Sequence, residues 1–550
     1  MPVISFNKKY LYGLIGSGID DAKLADQVSK LGFEVEQVDN DNISVEITAN
    51  RLDLLDAVGF ARAIKNFMHR SKRFHYEIEN QEPEMELTVE PSVKKIRPFI
   101  SALVVHNINM DEHTLLNIVN FSEKFCETYG RNRRKIAMGF HDLAMIKPPI
   151  VYKSGEDIDY VPLGKNSPMR LSEVLDKEEK GKQYANILRN ARTCYYPVLS
   201  DSQGVMAFIP ILNSQRTRIT TATKDLFIDI TGTSEYAVNK VAELLAASFI
   251  DMEAQVRKVK VVYGERNMVT PEMQPRYVEL KIEKAEMEIG VKIGYNNVIS
   301  LANKMGYEAA MLQNNIRFRI PEYRMDVIDE QDVIEDIAIG YGYQYINPIP
   351  MYFSQQGTLE DRTKVNKDLA IIMLGFGFTE FANSYLTNQS TNFEKPGIKM
   401  DKSEILLRNS KTEAITMMRT WIIPSLMNNL GMSAHEKMPQ DIFEIDMVFR
   451  ARNRKPIESY HLAAVSINPK ANFNDIKAVV EGIMFCSGME YSIKGFMHES
   501  FIEGRCAEII VDGNSIGFFG EIHPRVLKNF GIEEPGIGVE IELEPFYPRS

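Results

Sequence analysis

The chain has 550 residues and a formal net charge of −11, with 44% hydrophobic and 25% charged residues. That length exceeds one hydrophobic core and calls for three or more domains, the composition is that of a globular protein, and the acidic balance argues against a surface that grips nucleic acid as a whole. MPVISFNKKYLYG has no apolar signal-like core and no run approaches the roughly 18 apolar residues of a membrane span, while Cys126, Cys194, Cys486 and Cys506 lie far apart with no C-x-x-C pair, so a cytoplasmic protein with reduced thiols is expected.

Residues 1–80 are expected to form an α/β domain. PVISF reads as a strand, Asp20 to Leu31 as a helix, ISVEIT as a strand alternating Ile43, Val45 and Ile47, and NRLDLLDAVGFARAIKNFM as helical. The polar EIENQEPEMEL then reads as a linker. Residues 88–262 mix both element types. FISALVVHNI is a strand, HTLLNIVNFSEKFCETYG a helix ending at Gly130, and KDLFIDITGTSEYAVNKVAELLAASFI a strand, a capping turn and a helix. Residues 268–346 read as a small winged-helix-like module: two short amphipathic helices and a strand pair ending in IRFRIPEYR. Residues 350–550 form a further α+β unit, with helical spacing in NDIKAVVEGIMFC and strands at CAEIIV and SIGFFGEI. The fold class expected is α+β and multidomain.

Several motifs are absent. There is no G-x-x-x-x-G-K-[ST], no H-E-x-x-H and no G-x-S-x-G, and GLIGSG has the wrong glycine spacing for a dinucleotide fold. His141-Asp142 offers a base beside an orienting carboxylate, but neighbours on a strand point to opposite faces, which favours a structural histidine. RNRRK, residues 131–135, is the densest basic patch and reads first as a solvated helix end or loop.

Two stretches carry chemistry. PEYRMDVIDEQDVIEDIAIGYGY packs seven carboxylates into fifteen residues. If a helix opens at Asp332, then Asp332, Glu335 and Asp336 share a face opposite Val333, Ile334, Ile337, Ala338 and Tyr341, with Asp326 within reach upstream. The pattern allows a solvated acidic face favoured by the helix dipole, or a hard-cation site, since converging carboxylates without a basic partner repel one another. On LFIDIT, Phe227, Asp229 and Thr231 share one face opposite Leu226, Ile228 and Ile230. Thr231 and Thr233 can equally cap the following helix, and Asp229 can pair with an arginine.

Taken together, MPVISF, NRLDLLDAVGFARAI, NSQRTRIT with LFIDITGT, the acidic module end, LLRNSKTEAITMMRTWIIPSL with IFEIDMVF, and GEIHPRVLKNFGI resemble the beta subunits of phenylalanyl-tRNA synthetase in their shorter archaeal and eukaryotic form, over nearly the whole chain. The resemblance implies that Asp326, Asp332, Glu335 and Asp336 hold Mg²⁺ at the junction with the alpha subunit, with Asp336 standing where bacterial relatives usually have Glu. It implies an assembly of two alpha and two beta subunits acting on tRNA(Phe), with the ATP and phenylalanine sites on alpha.

On the same resemblance, residues 350–550 are a degenerate class II synthetase-like antiparallel-sheet domain; VFRARNRK places Arg452 after Arg450 where a Glu is needed. Residues 88–262 resemble an editing domain that hydrolyses mischarged Tyr-tRNA(Phe). There Asp229 is expected to bind the substrate amine and Thr231 to position a water, with Asn213 and Ser214 as weaker additions. The bacterial oligonucleotide-binding insert and anticodon-binding C-terminal domain have no counterpart here. A free-standing hydrolase of mischarged tRNA and a non-catalytic scaffold subunit are the alternatives.

Overall fold

The computed structural model describes residues 2–548 apart from 17–18, 71–74, 79–81, 190–193, 314, 354, 411 and 454. Part of the EIENQEPEMEL linker therefore lies outside the described residues. The chain divides into two compact units, Met1–Pro350 and Met351–Ser550. Among the described residues no helix is long and apolar enough to cross a membrane.

The first unit is built around a ten-stranded sheet among the described residues. Its strand Leu226–Gly232 runs antiparallel between Phe99–His106 and Ile136–Asp142, with Asp229 opposite Ala102 on one side and Gly139 on the other. Flanked on both edges and covered on both faces, every residue of LFIDITG is buried. Leu226, Ile228 and Ile230 join one core with Val238, Val241 and Leu245 of the helix Glu235–Asp251. Phe227 faces the other way, into a core with Ile100, Val104 and Ile209. This period-two alternation leaves Asp229 and Thr231 on the Phe227 side. Ser234, not Thr231 or Thr233, caps the following helix by accepting from the Ala237 amide.

The end of this unit runs strand Arg276–Lys281, helices Ile282–Ile289 and Tyr295–Lys304, strands Glu308–Leu312 and Asn315–Ile320, then helix Glu330–Tyr341. Asn315–Ile320 sits between the other two strands. The acidic helix opens two residues earlier than the sequence suggests. Asp329 is its N-cap, accepting from the Gln331 amide, and Asp332 reaches back to the cap backbone to complete a capping box. Such caps stabilise a helix by about 0.5–2 kcal/mol, so one of the four expected metal ligands already has a helix-starting role.

The second unit is a seven-stranded sheet whose long hairpin, Gln440–Arg452 with Lys455–Ile467, pairs from Gln440–Ile467 at its base to Arg452–Lys455 at its tip. One face packs against the helices Asp361–Gly375 and Phe473–Cys486, the other against Ile423–Met432 and Pro524–Asn529.

Candidate functional site

A cavity of about 400 Å³ opens on the sheet of the first unit, lined by Leu115, Ile118, Phe140, Phe208 and Ile211 among its apolar residues and by Asn213, Asp229 and Thr231 among its polar ones. A buried, largely apolar pocket with a few converging polar groups is the usual form of a small-ligand site.

Asp229 is 2% exposed on a central strand, where an unpartnered carboxylate is costly. Its partner is His141, also fully buried: Nε2 lies 2.9 Å from Asp229 Oδ1, and Nδ1 lies 2.8 Å from Thr217 Oγ1. The arginine partner allowed by the sequence is thus replaced by a histidine 88 residues away. Oδ2 makes no hydrogen bond among the described residues and is the oxygen left for a ligand. Gly139 makes room for the pair. A Cβ there would stand 2.4 Å from Asp229 Oδ1 and 3.0 Å from His141 Nε2.

Thr231 is held by Arg97, whose Nε donates to Thr231 Oγ1 at 2.9 Å and whose Nη2 donates to Thr231 O at 2.6 Å. Burial pushes the Arg97 guanidinium down to about 10, and no carboxylate touches it among the described residues. The Thr231 hydroxyl keeps one long donor contact, 3.5 Å to Ala137 O, and so retains a proton that a ligand or water can accept. Asn213 lines the cavity with its amide nitrogen 3.3 Å from Phe140 O. Ser214 does not line it: its hydroxyl accepts from Arg216 N and donates to Val161 O, because adjacent residues in extended backbone point to opposite sides.

The acidic helix lies elsewhere in this unit and has a basic partner that spacing did not reveal. Arg324, 2% exposed, donates to Asp326 Oδ1 from Nε at 2.9 Å and to Asp326 Oδ2 and Asp336 Oδ2 from Nη2 at 2.8 and 2.6 Å. Asp336 Oδ2 also accepts from the Tyr307 hydroxyl. Asp332 Oδ2 accepts from the amides of Ile328 and Asp329 at 2.6 and 3.0 Å. Glu335 is exposed and has no partner among the described residues. Desolvation, then the neighbouring carboxylates of Asp336, Asp332 and Asp326, push its carboxyl above the usual range. The donor chemistry suits a hard cation: of the four carboxylates Arg324 bonds only Asp326 and Asp336, and Glu335 with Oδ1 of Asp332 and Asp336 remain unspent. No three of them bring oxygens within 4.8 Å of one another; among the described residues Glu34, Glu36 and Glu46 alone do so.

In the second unit a small cavity of about 150 Å³ is lined by Arg450, His461, Glu540, Trp421, His498 and Phe518, among others. Glu540 is committed to the start of the helix Ile423–Met432, accepting from the amides of Ile422 and Ile423 at 3.0 and 3.1 Å, and to His461 Nδ1 at 2.8 Å. The buried arginine–glutamate pair of this unit is Arg419 with Glu444, at 2.6 Å, and Arg450 is not part of it.

Comparison with known proteins decides the family. Residues 278–343 match the tRNA synthetase B5 domain family and residues 348–543 the phenylalanyl-tRNA synthetase beta chain CLM domain family. The phenylalanine–tRNA ligase beta subunit of Archaeoglobus fulgidus is 35% identical, the alignment covering 100% of this chain and 99% of the relative. The chain belongs to the phenylalanine–tRNA ligase beta subunit family. Another member, from Methanocaldococcus jannaschii, is 34% identical over 99% of this chain and 100% of its own. A crystal structure of an N-terminal fragment of the phenylalanyl-tRNA synthetase beta subunit from Pyrococcus horikoshii superposes with a TM-score of 0.59 at 31% identity, covering 62% of this chain and all of the fragment.

Within this beta subunit the structure brings Asn213, Asp229 and Thr231 to one cavity and leaves Ser214 outside it. It adds His141, Arg97 and Gly139, none of which sequence spacing placed there. The signal for His141 was available in IAMGFHD: on that strand Gly139 and His141 share a face by period-two alternation, and the register sets Gly139 opposite Asp229.

Proposed function

We propose that this chain is the supporting and proofreading half of a heteromeric phenylalanine–tRNA ligase. With an alpha subunit, in an assembly of two of each, it serves the ATP-dependent attachment of phenylalanine to tRNA(Phe), and the adenylation site is on alpha. Residues 88–262 are the editing domain, 268–346 a winged-helix-like module, and 350–550 a degenerate synthetase-like domain. The buried acids of the last unit support this division: Glu444 is spent on Arg419, and Glu540 on a helix start and on His461.

The observation that carries the editing reading is the free oxygen of buried Asp229 facing the cavity beside Thr231. An apolar synthetase pocket rejects an analogue that adds one hydroxyl by only about a hundredfold, so tyrosine reaches tRNA(Phe) and must be removed. Asp229, fixed by His141, binds the substrate ammonium. Thr231, fixed by Arg97, orients a water onto the ester carbonyl, and the Asn213 amide carries a further contact. Water adds to the carbonyl carbon, the bond to the ribose oxygen breaks, and tyrosine and the terminal ribose hydroxyl leave, the neighbouring ribose hydroxyl assisting. No side-chain nucleophile takes part, so rate comes from positioning. The test is release of tyrosine from Tyr-tRNA(Phe) by the purified complex, compared with release of phenylalanine from Phe-tRNA(Phe). Faster tyrosine release is expected; equal slow loss of both would overturn the reading.

Mg²⁺ is proposed at Asp326, Asp332, Glu335 and Asp336. Glu335 and the unspent oxygens of Asp332 and Asp336 are the available donors, and Asp326 shares its carboxylate with Arg324. Such an ion would neutralise the acidic helix face where alpha docks. Replacing Asp332 and Glu335 by Ala is expected to lower the Mg²⁺ retained by the purified complex and to weaken its assembly. Unchanged metal content by elemental analysis counts against the site.

A further inference from the structure

The basic run Arg131–Lys135 reaches the cavity through Arg133, and its backbone is unusual. Arg131, Asn132 and Arg133 have φ of 51°, 52° and 64°, three consecutive non-glycine residues in the left-handed region. Each such residue is disfavoured and persists only when its surroundings hold it. Here the amides of Arg131, Asn132 and Arg133 donate to the carbonyls of Thr128, Glu127 and Cys126 at 2.9, 3.1 and 2.9 Å, and Lys135 N donates to Gly130 O at 2.8 Å. From beneath, Arg97 Nη1 donates to Arg133 O and Arg134 O at 2.8 and 3.3 Å, while the rest of the same guanidinium grips Thr231. One buried cation therefore ties the basic turn to the wall of the cavity.

The side chains follow. Arg133 lines the cavity, donates to Pro210 O and Ile211 O at 3.0 and 2.7 Å, and lies 4.6 Å from the Tyr184 ring centroid. Arg131 and Arg134 are exposed, as is Arg218, which also lines the cavity; none of the three makes an ion pair among the described residues. The nearby acids are taken: Glu123 by Lys180 at 2.6 Å and Glu127 by Lys124 at 3.2 Å. The C-terminal dipole of the helix Glu112–Glu127 favours cations here but does not explain a strained turn pinned to a catalytic threonine.

We propose that Arg131 and Arg134, on a turn locked to the cavity through Arg97, bind the phosphodiester backbone of single-stranded RNA just 5′ of the aminoacylated terminal adenosine. The proposal rests on the editing reading of the cavity. Arg97 is a positioning residue, and a chain of net charge −11 thereby keeps a cationic patch where polyanion must enter.

The test compares the complex of this chain with its alpha subunit, wild type and carrying Arg131→Ala with Arg134→Ala, on two substrates: Tyr-tRNA(Phe), and 2′(3′)-O-tyrosyl-adenosine, which has no phosphate. Hydrolysis of the tRNA ester is expected to fall about tenfold in kcat/KM at low salt, with a shallower salt dependence by about 0.7 log units per log unit of salt for each phosphate no longer neutralised, and hydrolysis of tyrosyl-adenosine to stay at the wild-type rate. Replacing the same two residues by Lys should restore most of the tRNA rate. Unchanged hydrolysis of Tyr-tRNA(Phe) would overturn the proposal. Should the wild type cleave neither substrate, the editing reading fails, and binding of a labelled short RNA ending in CCA decides this one: weaker binding by the double variant supports it and equal binding overturns it.

Discussion

Asp229→Ala is expected to abolish hydrolysis of Tyr-tRNA(Phe) while leaving aminoacylation with phenylalanine at the wild-type rate. The carboxylate is buried, oriented by His141, and presents one unspent oxygen to the cavity. A charge-assisted hydrogen bond to the substrate ammonium in such a setting is worth about 1.5–3 kcal/mol, and loss of orientation adds to it, so a fall of roughly 100-fold or more is expected. The variant also leaves His141 with Thr217 as its remaining partner, a cost of about 1–3 kcal/mol to a unit with several cores, which stays folded. Deacylation and aminoacylation measured on the same preparation separate a chemical defect from a structural one. Full hydrolysis by the variant would remove Asp229 from the site.

Arg419→Met is expected to destabilise the second unit by about 3–5 kcal/mol, the usual cost of leaving one partner of a buried ion pair unpaired. Arg419 is fully buried and its Nη1 donates to Glu444 at 2.6 Å, while its Nε donates to Met447 O at 2.9 Å. Glu444 is 1% exposed and also accepts from Asn383 Nδ2 at 2.7 Å, so losing Arg419 strands a carboxylate under the sheet. Against a domain stability of about 5–15 kcal/mol this is a large fraction, worth roughly 6–20 °C in Tm. The sole tryptophan of the chain, Trp421, lies two residues away in this unit, so its fluorescence follows this transition in the full chain. Adding Glu444→Leu should recover part of the loss because no buried charge then stands alone. A change under about 1 kcal/mol would show that the pair does not hold the unit together.

What was legible in the sequence is what depends on neighbours in sequence. The alternation in LFIDIT assigned Asp229 and Thr231 to one face, and the apolar stripe Val333, Ile334, Ile337 and Ala338 located the acidic helix, because both rest on backbone periodicity. What was not legible is which groups meet across the fold. Asp229 finds His141 88 residues away through sheet register, and Asp336 finds Arg324 from the preceding turn rather than remaining a free carboxylate. The helix start was misplaced by two residues for a related reason. Reading Asp332 as a ligand at the helix start hid its local role as capping-box partner of the N-cap Asp329. Adjacency misled at Asn213 and Ser214, where extended backbone sends one side chain to the cavity and the other to Val161.

Phenylalanine-dependent ATP–pyrophosphate exchange, run with this chain alone and again with the alpha subunit added, tests the division of labour most directly. Exchange that appears only with alpha present is the expected result. Exchange by this chain alone would contradict it, because it would place a working adenylation site within residues 351–550, where Arg419, Glu444 and Glu540 are committed to holding the fold.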